Sequence, residues 1–177
     1  MRIRPATFDD VAALETLIAE SARALGRPYY TPEQIEGALG TVLGVDRQLI
    51  RDGTYFVVET EAGIVGCGGW SKRKTLFGSD DLPGKDDSYL DPKLDAARIR
   101  AFFVDPAAAR RGIGTALMQA CEEAAAAEGF RRLELAATLP GEPLYVAHGF
   151  VAFERFTMPL QNGASLPLVK MRKQLLA

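Results

Sequence analysis

Apolar residues Val11, Leu14, Leu17, Ile18 and Leu25 recur at the spacing of one helical face, and Thr7 with Asp10 three positions later forms a capping-box pattern ahead of them. This predicts a first helix after a short strand at Arg2 to Arg4. A second helix is predicted where Thr31, Pro32, Glu33 and Gln34 supply an N-cap, a first-turn proline and a second capping box, before apolar Ile35, Leu39 and Val42. The pattern then changes period. Thr54 to Thr60 is β-branched and aromatic, Glu61, Ala62 and Gly63 make a turn, and Ile64 to Trp70 resumes an extended pattern, so a hairpin is predicted. Gly66, Gly68 and Gly69 loosen its second strand.

Periodicity lapses from Lys74 to Asp95, a stretch of Gly, Pro, Ser and six aspartates that predicts a long, solvated loop. Ala97 to Val104 reads as a buried strand, followed by Asp105, Pro106 and a helix from about Thr115 to Glu128 closed by Gly129. A strand at Leu133 to Thr138, a short helix at Pro143 to His148, a strand at Phe150 to Thr157 and a last strand at Leu166 to Met171 complete the order. The turn before that last strand is Asn162-Gly163.

Composition narrows this picture. The chain has 177 residues, 47% hydrophobic and 25% charged, which suits one globular domain with a proper core and leaves no room for a second. Its 21 basic and 23 acidic residues give a net charge of −2, and the basic ones are scattered, so no nucleic-acid phosphate track is expected. No apolar run approaches the roughly 20 residues that span a bilayer, so no membrane partner is expected. Arg2, Arg4, Asp9 and Asp10 interrupt the start where a secretory leader would be apolar, which reads as a cytoplasmic protein. Cys67, Cys121 and the single histidine, His148, lack ligand spacing; free thiols and no metal are the expectation.

The candidate chemistry lies between the strand ending at Val104 and the following helix. Arg110, Arg111, Gly112, Ile113, Gly114 and Thr115 occupy a loop where free backbone N–H groups and the positive end of a helix dipole can receive an anion. Gly112 and Gly114 let the backbone turn tightly and approach a diphosphate, with Arg110 or Arg111 adding charge at the rim. A Rossmann fingerprint fails at Leu117, and a Walker loop lacks its Gly-Lys-Ser/Thr. A bare Gly-x-Gly could also do no more than turn the chain into a helix.

Taken with the strand ARIRAFFV and Asp105-Pro106, the run Arg-Arg-Gly-Ile-Gly-Thr-Ala-Leu resembles the acetyl-coenzyme A motif of the GNAT superfamily of N-acetyltransferases. The family pattern is Gln/Arg-x-x-Gly-x-Gly/Ala, and Ala109 stands at its first place here. The resemblance spans nearly the whole chain, from Ile3, Arg4, Pro5 and Ala6 with Asp9 and Asp10 to Leu144, Tyr145, Gly149 and Phe150. It implies an α/β (α+β) fold: a mixed, mostly antiparallel central sheet of about seven strands, splayed between strands four and five and flanked by about four helices.

The resemblance also implies roles. The pantetheine arm of acetyl-coenzyme A would hydrogen-bond to backbone of Phe102, Phe103 and Val104, and the Val104 N–H would face the thioester carbonyl. Thr138 stands nearest to an asparagine that touches the cofactor in relatives. Tyr145 occupies the place of the tyrosine general acid, and a phenol of ordinary pKa about 10 is protonated at neutral pH. Where many relatives carry a carboxylate base, this chain has Arg98; Glu134, Asp95 and His148 are the substitutes to weigh. His148 also suits the C-terminus of its short helix as a partial positive charge.

The implied activity is transfer of an acetyl group from acetyl-coenzyme A to a primary amine. A non-catalytic acetyl-coenzyme A sensor is the alternative, and other acyl donors stay open. The aspartate-rich loop with Tyr29, Tyr30 and Trp70 could attract a cationic amine, against the plainer reading of a solvated loop. Homodimerisation through the last strands is a further expectation from the resemblance.

Overall fold

The computed structural model describes residues 1–176. Seven strands form one sheet in the order β1-β2-β3-β4-β5-β7-β6: β1 Arg2–Pro5, β2 Tyr55–Thr60, β3 Gly63–Ser71, β4 Ala97–Val104, β5 Arg132–Thr138, β6 Val151–Pro159 and β7 Ser165–Gln174. Every neighbouring pair is antiparallel except β4 and β5, which run parallel and pair only at Ala97 with Leu133 and Arg98 with Glu134. Beyond Arg98 the two strands part, as the family resemblance implied. The connection that makes them parallel is the helix α4, Ile113–Ala127.

Side-chain alternation along β2 shows how the sheet is covered. Tyr55 and Val57 face a core shared with α1 (Val11–Gly26) and residues 42–50, whereas Val58 faces Ile113 and Leu117 of α4 on the opposite side. In α1 the predicted face is the buried one: Leu14, Leu17 and Ile18 are inside, while Leu25, 37% exposed, leaves the core and lines a groove. The start of that helix follows from its sequence. The Asp10 carboxylate accepts from the Thr7 amide at 2.7 Å and pairs with Arg4 at 2.8 Å, which ties the helix entrance to β1.

Among the described residues five α-helices are present, against about four expected. The second, α2 (Pro32–Ala38), carries the predicted capping box but stops before Val42, because Leu39 leaves the helical region and Gly40 turns with φ 90°. The unforeseen helix is α3, Arg47–Arg51, capped by Asp46 accepting from the Gln48 amide at 3.0 Å. α5, Glu142–Ala147, is the predicted short helix, and His148 is its C-cap.

The stretch from Lys74 to Asp95 has little regular structure, as predicted, yet it is fastened to the body. Arg100 of β4, 3% exposed, donates to the Gly78 carbonyl at 2.7 Å and to the Asp46 carboxylate at 3.0 Å. Lys85 reaches the same carboxylate oxygen at 2.7 Å. Burial by itself would raise the Asp46 carboxyl, but Lys85 and Arg100 hold it below the usual carboxylate range.

Candidate active site

Strand β4 carries a bulge, and the bulge has a visible cause. Between Cys67–Phe103 and Gly69–Arg100 the register slips, so Ala101 and Phe102 together face Gly68, and Ala101 takes the left-handed value φ 54°. Gly68 is required here because a Cβ on it would lie 2.5 Å from the Phe102 ring. The Tyr55 hydroxyl, fully buried, donates to the Ala101 carbonyl at 2.8 Å and satisfies the group the bulge turns inward. Gly66, Gly68 and Gly69 of β3 thus serve close packing as well as looseness.

After the bulge, the Asp105 amide donates to the Val65 carbonyl at 2.8 Å. In an antiparallel ladder that bond marks the neighbouring Val104–Gly66 pair as non-hydrogen-bonded. Both the N–H and the C=O of Val104 therefore point away from β3, into the space between β4 and β5. This is the free backbone edge that a pantetheine-like chain requires.

The loop before α4 forms an amide nest. Arg110 (φ 63°) and Gly112 (φ 80°) take left-handed conformations, Gly112 is the N-cap of α4, and the first helical N–H groups of Ile113, Gly114 and Thr115 follow. Two left-handed residues flanking Arg111, just ahead of the first N–H groups of a helix, are a backbone pattern suited to an anion-binding concavity. They open onto a groove of about 680 Å³ lined by Val104, Arg110, Gly112, Ile113, Gly114 and Thr115, with Tyr29 and Leu25 across it. Arg111 lies outside this lining, on the exposed surface. Ile113 also packs its side chain under β3, so it anchors the nest while its amide belongs to it.

The groove continues inward. It shares Leu25, Val104, Pro140 and Leu144 with a cavity of about 160 Å³ between the parted strands. That cavity in turn shares Leu43, Phe102, Phe103, Thr138 and Tyr145 with a pocket of about 50 Å³. Phe102, Phe103, Thr138 and Tyr145 are therefore brought together at one place, where the inner cavities meet. Arg110 to Thr115 stand at the outer end.

Tyr145 is 7% exposed, its ring meeting Phe102 and Phe150 edge-on at centroid distances of 6.2 Å and 5.8 Å. Burial pushes its phenol well above the ordinary value, so the hydroxyl stays protonated. Tyr30 closes the same cavity from the α1–α2 connection. Its hydroxyl donates to the Pro167 carbonyl at 2.6 Å and accepts from the Leu139 amide at 2.9 Å, bridging the ends of β5 and β7.

The substitutes for a base are elsewhere. Glu134 pairs with Arg98 at 3.2 Å on the closed end of the β4–β5 seam, and Asp95 accepts from the Asp91 amide at 2.7 Å. His148 has its Nε2 3.2 Å from the Thr115 hydroxyl, beside the nest. None of the three lines the inner cavities. Of the aromatic wall considered for the acceptor, Trp70 is 2% exposed and packs on Phe130 in the α4-side core. The loop aspartates also have local partners, Asp80 on Arg47 and Asp87 on Thr75. Sequence reasoning missed Tyr55, Asp46 and Arg100; the second arginine of the buried strand ARIRAFFV was the available sign, since a buried arginine demands a partner.

The model of the acetyltransferase (GNAT) family matches residues 14–150. No curated protein sequence matches the chain. Among solved structures, a GCN5-related N-acetyltransferase from Rhodopseudomonas palustris is similar with a TM-score of 0.72 at 22% identity, covering 98% of this chain and 95% of that one. A ribosomal-protein-alanine N-acetyltransferase from Brucella melitensis follows with 0.64 at 20% identity, covering 99% and 100%. The PaiA N-acetyltransferase from Thermoplasma acidophilum, solved with coenzyme A, gives 0.64 at 14% identity, covering 98% of each chain. With the sheet parted after Arg98 and a nest at the head of α4, these findings say that the chain belongs to the GNAT acetyltransferase family, whose members move an acetyl group from acetyl-coenzyme A to an amine.

Proposed function

We propose that this protein binds acetyl-coenzyme A along the groove and transfers its acetyl group directly to a primary amine in a ternary complex. The observation that carries the reading is the continuity of three features: the nest at Arg110 to Thr115, the free edge of Val104, and the cavity ending at Tyr145. An anion suits the nest because N–H groups and the α4 dipole converge there, with the Arg110 guanidinium at the rim. Main chain of Phe102 and Val104 suits an amide-bearing arm, which it would receive as an added strand edge, while Phe103, whose backbone faces Cys67 of β3, contributes its side chain to the wall. Thr138 faces the same cavity with a hydroxyl.

Acetyl-coenzyme A supplies an activated acetyl group: the carbon–nitrogen bond forms as the carbon–sulfur bond breaks. Three tasks fall to the protein. The Val104 N–H stabilises charge on the acyl oxygen, Tyr145 gives its proton to the departing sulfur, and the proton released from the new amide nitrogen restores Tyr145. Alignment of the two substrates in a cavity walled by Phe102 and Phe103 supplies the rest, as proximity does in acyl transfers generally. The test is release of free thiol from acetyl-coenzyme A with a panel of amines. Release above the no-amine control is the expected result, and tight coenzyme A binding with no release on any amine would mark a sensor instead.

A further inference from the structure

The ladder between β5 and β7 stops at the pair of Thr138 with Leu168. The next pair would be Leu139 with Pro167, where the proline ring leaves β7 no N–H to give. In place of a direct rung, the Leu139 N–H and the Pro167 carbonyl both bond the Tyr30 hydroxyl, which accepts from the first at 2.9 Å and donates to the second at 2.6 Å. An oxygen atom brought in from the α1–α2 connection thus spaces the ends of the two strands. Tyr30 is 6% exposed, and burial pushes its phenol up to about 12, so the hydroxyl keeps the proton it donates.

What this bridge holds is the seam where β5 turns into α5. The carbonyls of Thr138 and Leu139 accept from the Gly141 and Glu142 amides at 3.1 Å and 3.3 Å, so the chain swings toward the helix bearing Tyr145 right at the anchored residue. β4 gives no ladder support there, having left β5 after Arg98. The Tyr30 side chain lines the same cavity as Thr138 and Tyr145, with its hydroxyl committed to main chain. We infer that Tyr30 is a positioning residue of this site: through Leu139 it sets where Thr138 and Tyr145 stand across the open sheet from Phe102 and Val104. The inference rests on the acyl-transfer reading above and deepens it.

The experiment compares the native protein, Tyr30→Phe and the double variant Tyr30→Phe/Pro167→Ala. Each is followed by urea denaturation, by calorimetric titration of coenzyme A and of ADP, and by thiol release from acetyl-coenzyme A with the amine panel. In Tyr30→Phe turnover should fall about a hundredfold, the scale of an ångström of misplacement at a reacting centre. Coenzyme A should bind about tenfold more weakly, as for one hydrogen bond lost to its arm, while ADP, which has the diphosphate and no arm, binds as before. Adding Pro167→Ala returns a backbone donor and lets the strands close an ordinary pair. The denaturation midpoint should then recover while turnover stays low, because the pair closes without the spacing oxygen. Undiminished turnover and coenzyme A affinity in Tyr30→Phe, or turnover recovering together with the midpoint in the double variant, would overturn the inference. If no amine releases thiol with the native protein, the acyl-transfer reading fails, and a loss of coenzyme A affinity without loss of ADP affinity still upholds the positioning role. If native and Tyr30→Phe proteins release thiol equally, the acyl-transfer reading stands and the inference fails.

Discussion

The Tyr55 hydroxyl reaches across β3 to donate to the Ala101 carbonyl at 2.8 Å, so the left-handed residue of β4 is anchored from β2. This contact sits in the core and holds the bulge that opens the sheet. Tyr55→Phe leaves the carbonyl with only the weak Cys67 thiol donor at 4.0 Å, at a cost of about 1–3 kcal/mol. Urea denaturation should show that loss, and the KM for acetyl-coenzyme A should rise because Phe102 and Phe103 lose their fixed position. An unchanged denaturation midpoint would contradict the assigned role.

Tyr145→Phe keeps the ring between Phe102 and Phe150 and removes the acid alone. Turnover should fall by about a hundredfold or more, with coenzyme A affinity unchanged. Since burial raises the folded phenol above its ordinary value, the stabilising preference for the neutral form is complete below about pH 10 and is lost only as pH rises through the higher folded value. Accordingly, a pH profile of the native protein should show no falling limb from this group below about pH 10.

At the entrance of α1, the Arg4 guanidinium beside Asp10 holds its carboxyl down to about 2. A depressed folded value stabilises the native state above the unfolded pKa of about 4 and ceases to do so as pH falls toward the folded one. Asp10→Asn should therefore cost about 1–2 kcal/mol at neutral pH. Chemical denaturation at a series of pH values should find the gap between the two proteins shrinking from pH 4 downward.

The buried pair of Arg100 and Asp46 makes a different prediction. Each side chain is 2% exposed, so Asp46→Leu alone strands the buried Arg100 charge and should cost about 3–5 kcal/mol, whereas Arg100→Met leaves Asp46 paired with Lys85 and should cost less. Combining the two should recover a large part of that loss, with Lys85 free to turn to solvent. Strict additivity in the double-mutant cycle would show that the two side chains do not act as a unit.

Local signals made most of this architecture legible. Thr7 with Asp10 and Thr31 with Gln34 cap helices through neighbours three residues away, so short-range pattern located both starts. The strand Ala97–Val104 was read to the residue because its apolar run is bounded by Asp105-Pro106. What stayed hidden depends on partners far along the chain. α3 has five residues and its cap, Asp46, is secured by Arg100 and Lys85; the bulge at Ala101 depends on Tyr55 and on Gly68 opposite. The nest was visible as Gly112 and Gly114, but the left-handed turn at Arg110 was not, since an arginine announces no such conformation. Likewise the innermost pocket is assembled from residues 42, 76, 99 and 168, which no sequence window contains together.

The central claim is that main-chain amides from Arg110 to Thr115 grip the diphosphate of coenzyme A. Its most direct test is calorimetric titration of coenzyme A into the protein carrying Gly112→Val and Gly114→Val. Valine at 112 meets open space but must adopt φ 80°, and a Cβ at 114 lies 3.0 Å from Leu144, so the nest cannot keep its shape. Affinity should fall by about a hundredfold or more, the loss of two or more charge-assisted hydrogen bonds, while circular dichroism still reports the native fold. Undiminished affinity in a folded double variant would contradict the account.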